Sequence, residues 1–447
     1  MREDVSLLQE LIRNKCVNTG DVKSGNEIIS CHTLERFFNT YGYEGEILHK
    51  EESRSNYLLR VPGYDKKAPS LMFQCHLDVV PATEEDWDLP PFEGIIQDDV
   101  LWGRGAVDML NITAAMAVGF VKALKQKTSF PGDLIFLALA DEEASGQYGA
   151  DFLTKHHWDK VQCDYQISEL GGFHLATDNG PALTLARGEK GVMWTRISVK
   201  GTASHGSMPY KSDNAAYKIA KVLQLLADQN TAPKLHDLFK DMVAQSLTSS
   251  IAARLLNFED HDLGLDQVFE DNPGWAKFLH SASHLSISPG VIRIGDKVNI
   301  VPDRGVLDLD IRILPGENKD SALAELRRIL EPCLNDIDIE VFEYFPPNLS
   351  KKDTPLKKAI TQVTSGHFPK HQILDMLIGG VTDGRYWRNK GTCVYGFSLF
   401  DEELTLNAYS ERLHGKNERI SLNSLKLSTD FFTEIPSSFY REWELSK

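Results

Sequence analysis

Four short apolar runs, each stopping at a carboxylate, a histidine or a glycine-rich turn, constrain this chain more than any other feature. Ser70-Leu-Met-Phe-Gln-Cys75 leads into His76-Leu-Asp78, and Leu134-Ile-Phe-Leu-Ala-Leu-Ala140 leads into Asp141-Glu142-Glu143. Tyr165-Gln-Ile-Ser168 leads into Glu169, and Ile373-Leu-Asp-Met-Leu-Ile378 into Gly379-Gly380-Val-Thr-Asp383. Runs of this kind suit strands buried on both faces. Helical patterns separate them, over 109–125 and 149–157. Strands alternating with helices predict an α/β domain with a mostly parallel central sheet flanked by helices. In such sheets, sites gather beyond the carboxyl ends of the strands, where these His, Asp and Glu residues stand.

The pattern changes near residue 188. Val192-Met-Trp-Thr-Arg-Ile-Ser-Val199 alternates, as a half-exposed strand does. A helix follows, with Asp213 as its expected N-cap and Ala227 near its end. Then come strands over 290–294 and 305–314, a helix over 321–329 and a strand over 337–344. Strand, helix, two strands, helix, strand is the ferredoxin-like α+β order. A stretch at roughly 231–285, between the first helix and the second strand, reads as helical or irregular. The α/β pattern resumes after about Ser350. The expected organisation is one larger domain formed by 1–187 and 350–447, interrupted by a smaller one over 188–349.

Composition narrows the partners. Among the 447 residues, 48 Lys and Arg face 64 Asp and Glu, a formal charge of −16 that argues against a nucleic-acid binder. The longest apolar run, Leu134 to Ala140, falls far short of the ~20 residues a membrane span needs. The N-terminal stretch mixes both charge signs, with Val5, Leu7, Leu8, Leu11 and Ile12 at helical spacing, and so reads as an amphipathic helix rather than a signal peptide. Six scattered cysteines without a CxxC pair argue against a disulfide framework or a cysteine zinc knuckle. Free thiols in the cytoplasm are the expectation.

Five residues stand out as metal ligands: His76, Asp108, Glu143, Glu169 and His414. Histidine and carboxylate donors without cysteine suit Zn²⁺, and also Co²⁺ or Mn²⁺. His76 and Asp78 are two residues apart, so on a strand they share a face, and Asp78 would accept the second ring N–H of His76. Asp108 follows the glycine turn Gly103-Arg-Gly105. Glu142 and Glu143 are adjacent and must point differently, so one can bind metal while the other faces the substrate. Each signal is weak alone, since a carboxylate after a strand is usually solvated or caps a helix. Their weight comes from standing together at strand ends, and from the sequence around each.

That local sequence resembles the zinc-dependent metallopeptidases and amidohydrolases that include acetylornithine deacetylase, succinyl-diaminopimelate desuccinylase, aminoacylase and glutamate carboxypeptidase. The matching segments are His76-Leu-Asp-Val-Val-Pro81, Gly103-Arg-Gly-Ala-Val-Asp-Met109, Asp141-Glu-Glu143, Gly201-Thr-Ala-Ser-His-Gly206 and Asn299-Ile-Val-Pro302. Asp310-Ile-Arg312, Gly380-Val-Thr-Asp-Gly-Arg385 and His414-Gly-Lys-Asn-Glu418 complete the set, in the family's order and across nearly the whole chain. The resemblance implies a catalytic domain interrupted by a ferredoxin-like lid or dimerisation domain. It implies two divalent metals, with Asp108 bridging them, His76 and Glu169 completing one site, and Glu143 and His414 the other. Asp164 competes with Glu169 for its place. Asp78 would orient His76, Glu142 would be the general base, and the Asp108-Met109 peptide bond would be cis.

The implied reaction is amide or peptide hydrolysis of a small substrate by metal-activated water. His205 would help stabilise the oxyanion, and Asn299, Arg312, Arg385 and Gly380 would contact substrate. An arginine fork suits a carboxylate, so an N-acyl amino acid, a dipeptide or a peptide C-terminus is the expected substrate class. A homodimer through the lid domain is left open, and the 231–285 stretch resembles longer carboxypeptidase-like or dipeptidase-like members. Two other readings stand beside this one. A non-catalytic metal- or ligand-binding protein on the same fold is disfavoured by the complete ligand set with Glu142. A serine hydrolase is disfavoured because no GxSxG elbow is present.

Overall fold

The structure is a computed structural model that describes residues 2–228 and 231–447. The Leu71–His76 and Leu134–Leu139 strands are buried along their whole length, as continuous apolar runs require. They lie side by side at the centre of a large sheet. Its order is Glu46–His49, Ser55–Val61, Leu134–Leu139, Leu71–His76, Tyr165–Ser168, Cys393–Gly396 and Gly180–Glu189. The four central strands run parallel, and the flanking strands join antiparallel. This is the α/β class expected from the sequence.

Backbone contacts divide the chain into two compact units. The first comprises Met1–Arg187, Ser350–Met376 and Thr382–Lys447, and the second Gly188–Leu349 with Leu377–Val381. In the first unit, the Leu110–Gln126 helix is apolar nearly all round and packs against both the sheet and the Leu422–Leu445 helix. The two helices approach closely at Gly119, where a Cβ would lie 2.5 Å from that of Phe432.

The second unit carries a four-stranded antiparallel sheet in the order Ser286–Ile294, Arg304–Ile313, Gly191–Lys200 and Ile337–Phe345. Ile219 and Val222 of the Ala215–Ala227 helix, and Leu326 and Ile329 of the Lys319–Ile329 helix, cover one face. The cap of the first of these helices is Asn214, not Asp213. Asn214 Oδ1 accepts from the Ala216 amide at 2.8 Å, while Asp213 pairs with Lys218 at 2.8 Å. The salt-bridge partner one turn into the helix draws Asp213 away from the cap. Four helices, Asp237–Ser246, Ser249–Leu255, His261–Asp271 and Pro273–Ser283, lie between the Ala215–Ala227 helix and the Ser286–Ile294 strand. Among the described residues, no helix is long and apolar enough to cross a membrane. All six cysteines are free thiols.

Candidate metal centre

Three neighbouring parallel strands deliver their following residues to one end of the sheet. His76 closes its strand, Glu142 and Glu143 stand on the 3₁₀ turn Glu142–Ala144 just past Leu134–Leu139, and Glu169 directly follows Tyr165–Ser168. Asp108 precedes the Leu110–Gln126 helix, and the Asp108-Met109 peptide bond is cis. His414 follows the Leu406–Arg412 helix in a left-handed conformation, φ 55°.

Two ligand groups result, His76–Asp108–Glu169 and Asp108–Glu143–His414, and Asp108 belongs to both. His76 Nε2 lies 3.1 Å from Asp108 Oδ1 and 3.7 Å from Glu169 Oε2. His414 Nε2 lies 3.2 Å from Asp108 Oδ2 and 3.0 Å from Glu143 Oε2. Donors that share a tetrahedral cation at ~2.0–2.2 Å stand roughly 3.3–3.6 Å apart, and each of these separations lies within a few tenths of an ångström of that range, so each group could hold one ion. Glu143 Oε1 is buried without a hydrogen-bond partner among the described residues. Asp164, the competitor of Glu169, sits before the opposite end of its strand and binds the amide and hydroxyl of Ser70.

Electrostatics points the same way. Burial raises Glu169 to about 8, and the nearby Asp108 charge adds to that. Burial and then Glu169 push Glu142 up, against the opposing effect of His76. Hydrogen bonds to Asp108 and Glu143 raise His414 to about 10. So many carboxyls in one dry pocket resist ionising together. A divalent cation reverses that preference and favours their charged form.

Asp78 differs from expectation in detail. The strand ends at His76, so His76 Nδ1 meets the main-chain oxygen of Asp78 at 2.9 Å, and its carboxylate only at 3.5 Å. The Asp78 carboxylate accepts instead from the amides of Glu142 and Glu143, at 3.2 and 3.1 Å, and from Asn18 Nδ2 at 2.8 Å. One residue thus ties the His76 ring to the turn that carries both glutamates.

A family model described as peptidase family M20/M25/M40 matches residues 72–437. The chain belongs to this family. It is therefore a hydrolase of the metal-dependent peptidase and amidohydrolase kind. It is 26% identical over 444 residues to a probable succinyl-diaminopimelate desuccinylase of Staphylococcus aureus (strain MRSA252), covering 99% of this chain and 98% of that one. It is 25% identical to the human N-fatty-acyl-amino acid synthase/hydrolase PM20D1, over 90% of this chain and 80% of the relative. In fold it matches an M20 family metallo-carboxypeptidase from Sulfolobus solfataricus with a TM-score of 0.75 and 17% identity, covering 99% of this chain and 100% of that one.

The remaining expected residues of this M20/M25/M40 hydrolase have other surroundings. Arg385 lies on the Gly384–Arg388 helix, and its side chain is buried. Its guanidinium donates to the carbonyls of Thr382 (2.7 Å) and Ser145 (3.0 Å). In the second unit, Arg312 forms a bidentate pair with Asp310 at 2.8 and 3.1 Å and reaches the Gly379 carbonyl at 3.4 Å. His205 is exposed and its Nδ1 is 2.8 Å from Ser207 Oγ; Asn299 is exposed, and its carbonyl accepts from the Gly206 amide. Gly380 is exposed.

Sequence reasoning passed over one residue that shapes the centre. Glu418 is fully buried and accepts four bonds: from the amides of Gly105, Val107 and Asp108, and from Arg104 Nη1. It fixes the loop that presents Asp108. The available signal was its place in the His414-Gly-Lys-Asn-Glu418 segment, four residues past a ligand.

Proposed function

We propose that this chain hydrolyses the amide bond of an N-acyl amino acid or short peptide in the cytoplasm, using two zinc ions and Glu142 as general base. One observation carries the reading: two ligand groups share Asp108, and Glu142 belongs to neither, although it stands beside Glu143 on the same turn. His76, Asp108 and Glu169 would hold one ion, and Asp108, Glu143 and His414 the other. When bound, such a pair supplies an acidified water and a positive field for the substrate carbonyl oxygen.

The chain's own residues do the rest. Glu142 takes the proton of the attacking water and returns it to the departing amine nitrogen. The Asp78 carboxylate holds the Glu142 and Glu143 amides, and its main-chain oxygen fixes which ring nitrogen of His76 faces the centre. Buried surroundings raise Glu142, which suits a group that must take a proton from water. Six free cysteines support a reducing compartment.

The test is metal analysis of the purified protein with a panel of N-acetyl, N-succinyl and longer N-acyl amino acids, free dipeptides and C-terminally blocked peptides. Glu142→Ala is expected to keep its metal and lose ~10²–10⁴ in kcat. Full activity in that variant, or no divalent metal bound under metal-replete conditions, would overturn the proposal. Cleavage of dipeptides without acyl amino acids assigns a peptidase, and the reverse a deacylase.

A further inference from the structure

Glu142 stands on a turn that is hard to hold. The 3₁₀ segment Glu142–Ala144 is flanked by two non-glycine residues in the left-handed region, Asp141 at φ 69° and Ser145 at φ 83°. Such conformations persist only where the surroundings over-determine them. The surroundings here are two buried arginines, one at each end of the turn.

At the leading end, Asp141 Oδ1 receives Arg54 Nη2 at 2.9 Å and Asn18 Nδ2 at 3.0 Å. The Arg54 side chain has no exposure and is also paired twice with Glu27, at 2.8 Å each. At the trailing end, the Ser145 carbonyl accepts from Arg385 Nη2 at 3.0 Å and from the Tyr386 hydroxyl at 2.8 Å. Arg385 is itself fixed by the Thr382 carbonyl and lies over the Tyr386 ring, 4.5 Å from its centre. Gly146 then turns at φ 75° directly against Asp383, whose Oδ1 would lie 2.8 Å from an added Cβ. The turn is therefore bounded on both sides by rigid, charged groups.

We infer that Arg54 and Arg385 are positioning residues for Glu142, and that Arg385 does not receive the substrate's carboxylate. The inference rests on the reading of Glu142 as base. With the side chain 2% exposed and Nη1 and Nη2 each given to a main-chain carbonyl, this guanidinium faces the turn rather than open substrate space. A carbonyl also needs only a donor, which Tyr386 supplies as well. The cation adds a planar, pre-organised grip on both segments at once. Misplacing a reacting group by ~1 Å is enough to cost ~10²-fold in rate.

The experiment compares Arg385→Met, Arg385→Lys, Tyr386→Phe and Arg54→Lys with wild type in kcat, KM and bound metal, using whichever substrate the panel identifies. Arg385→Met is expected to lower kcat by about 10²-fold with KM within about twofold and full metal content. Arg385→Lys recovers part of that loss, Tyr386→Phe costs only a few-fold, and Arg54→Lys lowers kcat without moving KM. A rise in KM at unchanged kcat for Arg385→Met makes Arg385 a substrate contact and overturns the inference, as does wild-type kcat in both arginine variants. Should Arg385→Met fail to fold, Arg385→Lys and Tyr386→Phe carry the same kcat-against-KM readout. Glu142→Ala, run in parallel, separates the two ideas. If it is inactive while the arginine variants match wild type, only the positioning role falls. If it is fully active, the base assignment falls first.

Discussion

The candidate site residues of the first unit and those of the second are held in opposite ways. In the first, His76 is fully buried, Asp108 and Glu169 nearly so, and each is held by a strand end, a helix start or a partner such as Asp78 or Glu418. In the second, His205, Asn299 and Gly380 are exposed, with bonds such as that of His205 to Ser207 and of the Asn299 carbonyl to the Gly206 amide. Arg312 is the most constrained of these four, and its charge is already matched by Asp310. A metal cluster tolerates little play, because donors must lie within a few tenths of an ångström of their cation. Groups that meet varied substrates do not need that rigidity, and mobile surface positions are where selection of ligands is usually placed.

Three measurements sharpen or break this contrast. The largest effect concerns the exposed side: His205→Ala is expected to lower kcat by ~10²–10³ while metal content and thermal stability stay at wild-type values. An unchanged kcat would make His205 an ordinary residue of its turn. On the buried side, Glu418→Gln keeps the shape but replaces an acceptor by an NH₂ group facing main-chain N–H donors. Metal affinity, read by chelator competition, is expected to fall ~10–100-fold. Unaltered affinity would mean that the Asp108 loop holds itself.

The smallest effect asks whether the second unit has a rigid polar interior of its own. His284 is buried there, and burial together with the neighbouring His280 holds it at about 3. The folded chain thus binds fewer protons than the unfolded chain between pH about 6.5 and about 3. The stability involved is complete above that window and is lost as pH falls through it, by up to ~1.4 kcal/mol per pH unit. His284→Phe should flatten the acid side of a urea-denaturation series taken between pH 7 and pH 5. Parallel decline of variant and wild type would show that His284 does not titrate this way.

Much of the centre was legible in the sequence because it depends on period and punctuation. A buried parallel strand is a short apolar run, and the residue that ends the run must emerge at the sheet's edge. His76 and Glu169 stand where that rule puts them, Glu143 lies three residues past its run and Asp108 after a glycine turn, while their roles as ligands came from the family resemblance. What was not legible depends on contacts between distant segments. Nothing near Arg385 says that its side chain will be buried against Ser145, 240 positions earlier. Nothing around Asn18 or Arg54 announces that they meet at Asp141. The exchange of Asp213 for Asn214 as helix cap is of the same kind, decided by a salt bridge to Lys218. In Asp78, the residue was identified but not the atom, since its strand stops two residues earlier than the HxD spacing implied.

The interruption of the first unit also orders the protein's birth. His76, Asp108, Glu143 and Glu169 all leave the ribosome within the first 187 residues, whereas His414 and Glu418 come from the last segment of that unit. Domains form as their chain is released, N-terminal parts first. A nascent chain therefore carries His76, Asp108 and Glu169 before His414 is made, and the loop bearing Asp108 meets Glu418 only after the 188–349 segment has been synthesised. The residues that would hold a second ion are thus completed only after the inserted 188–349 segment has been made.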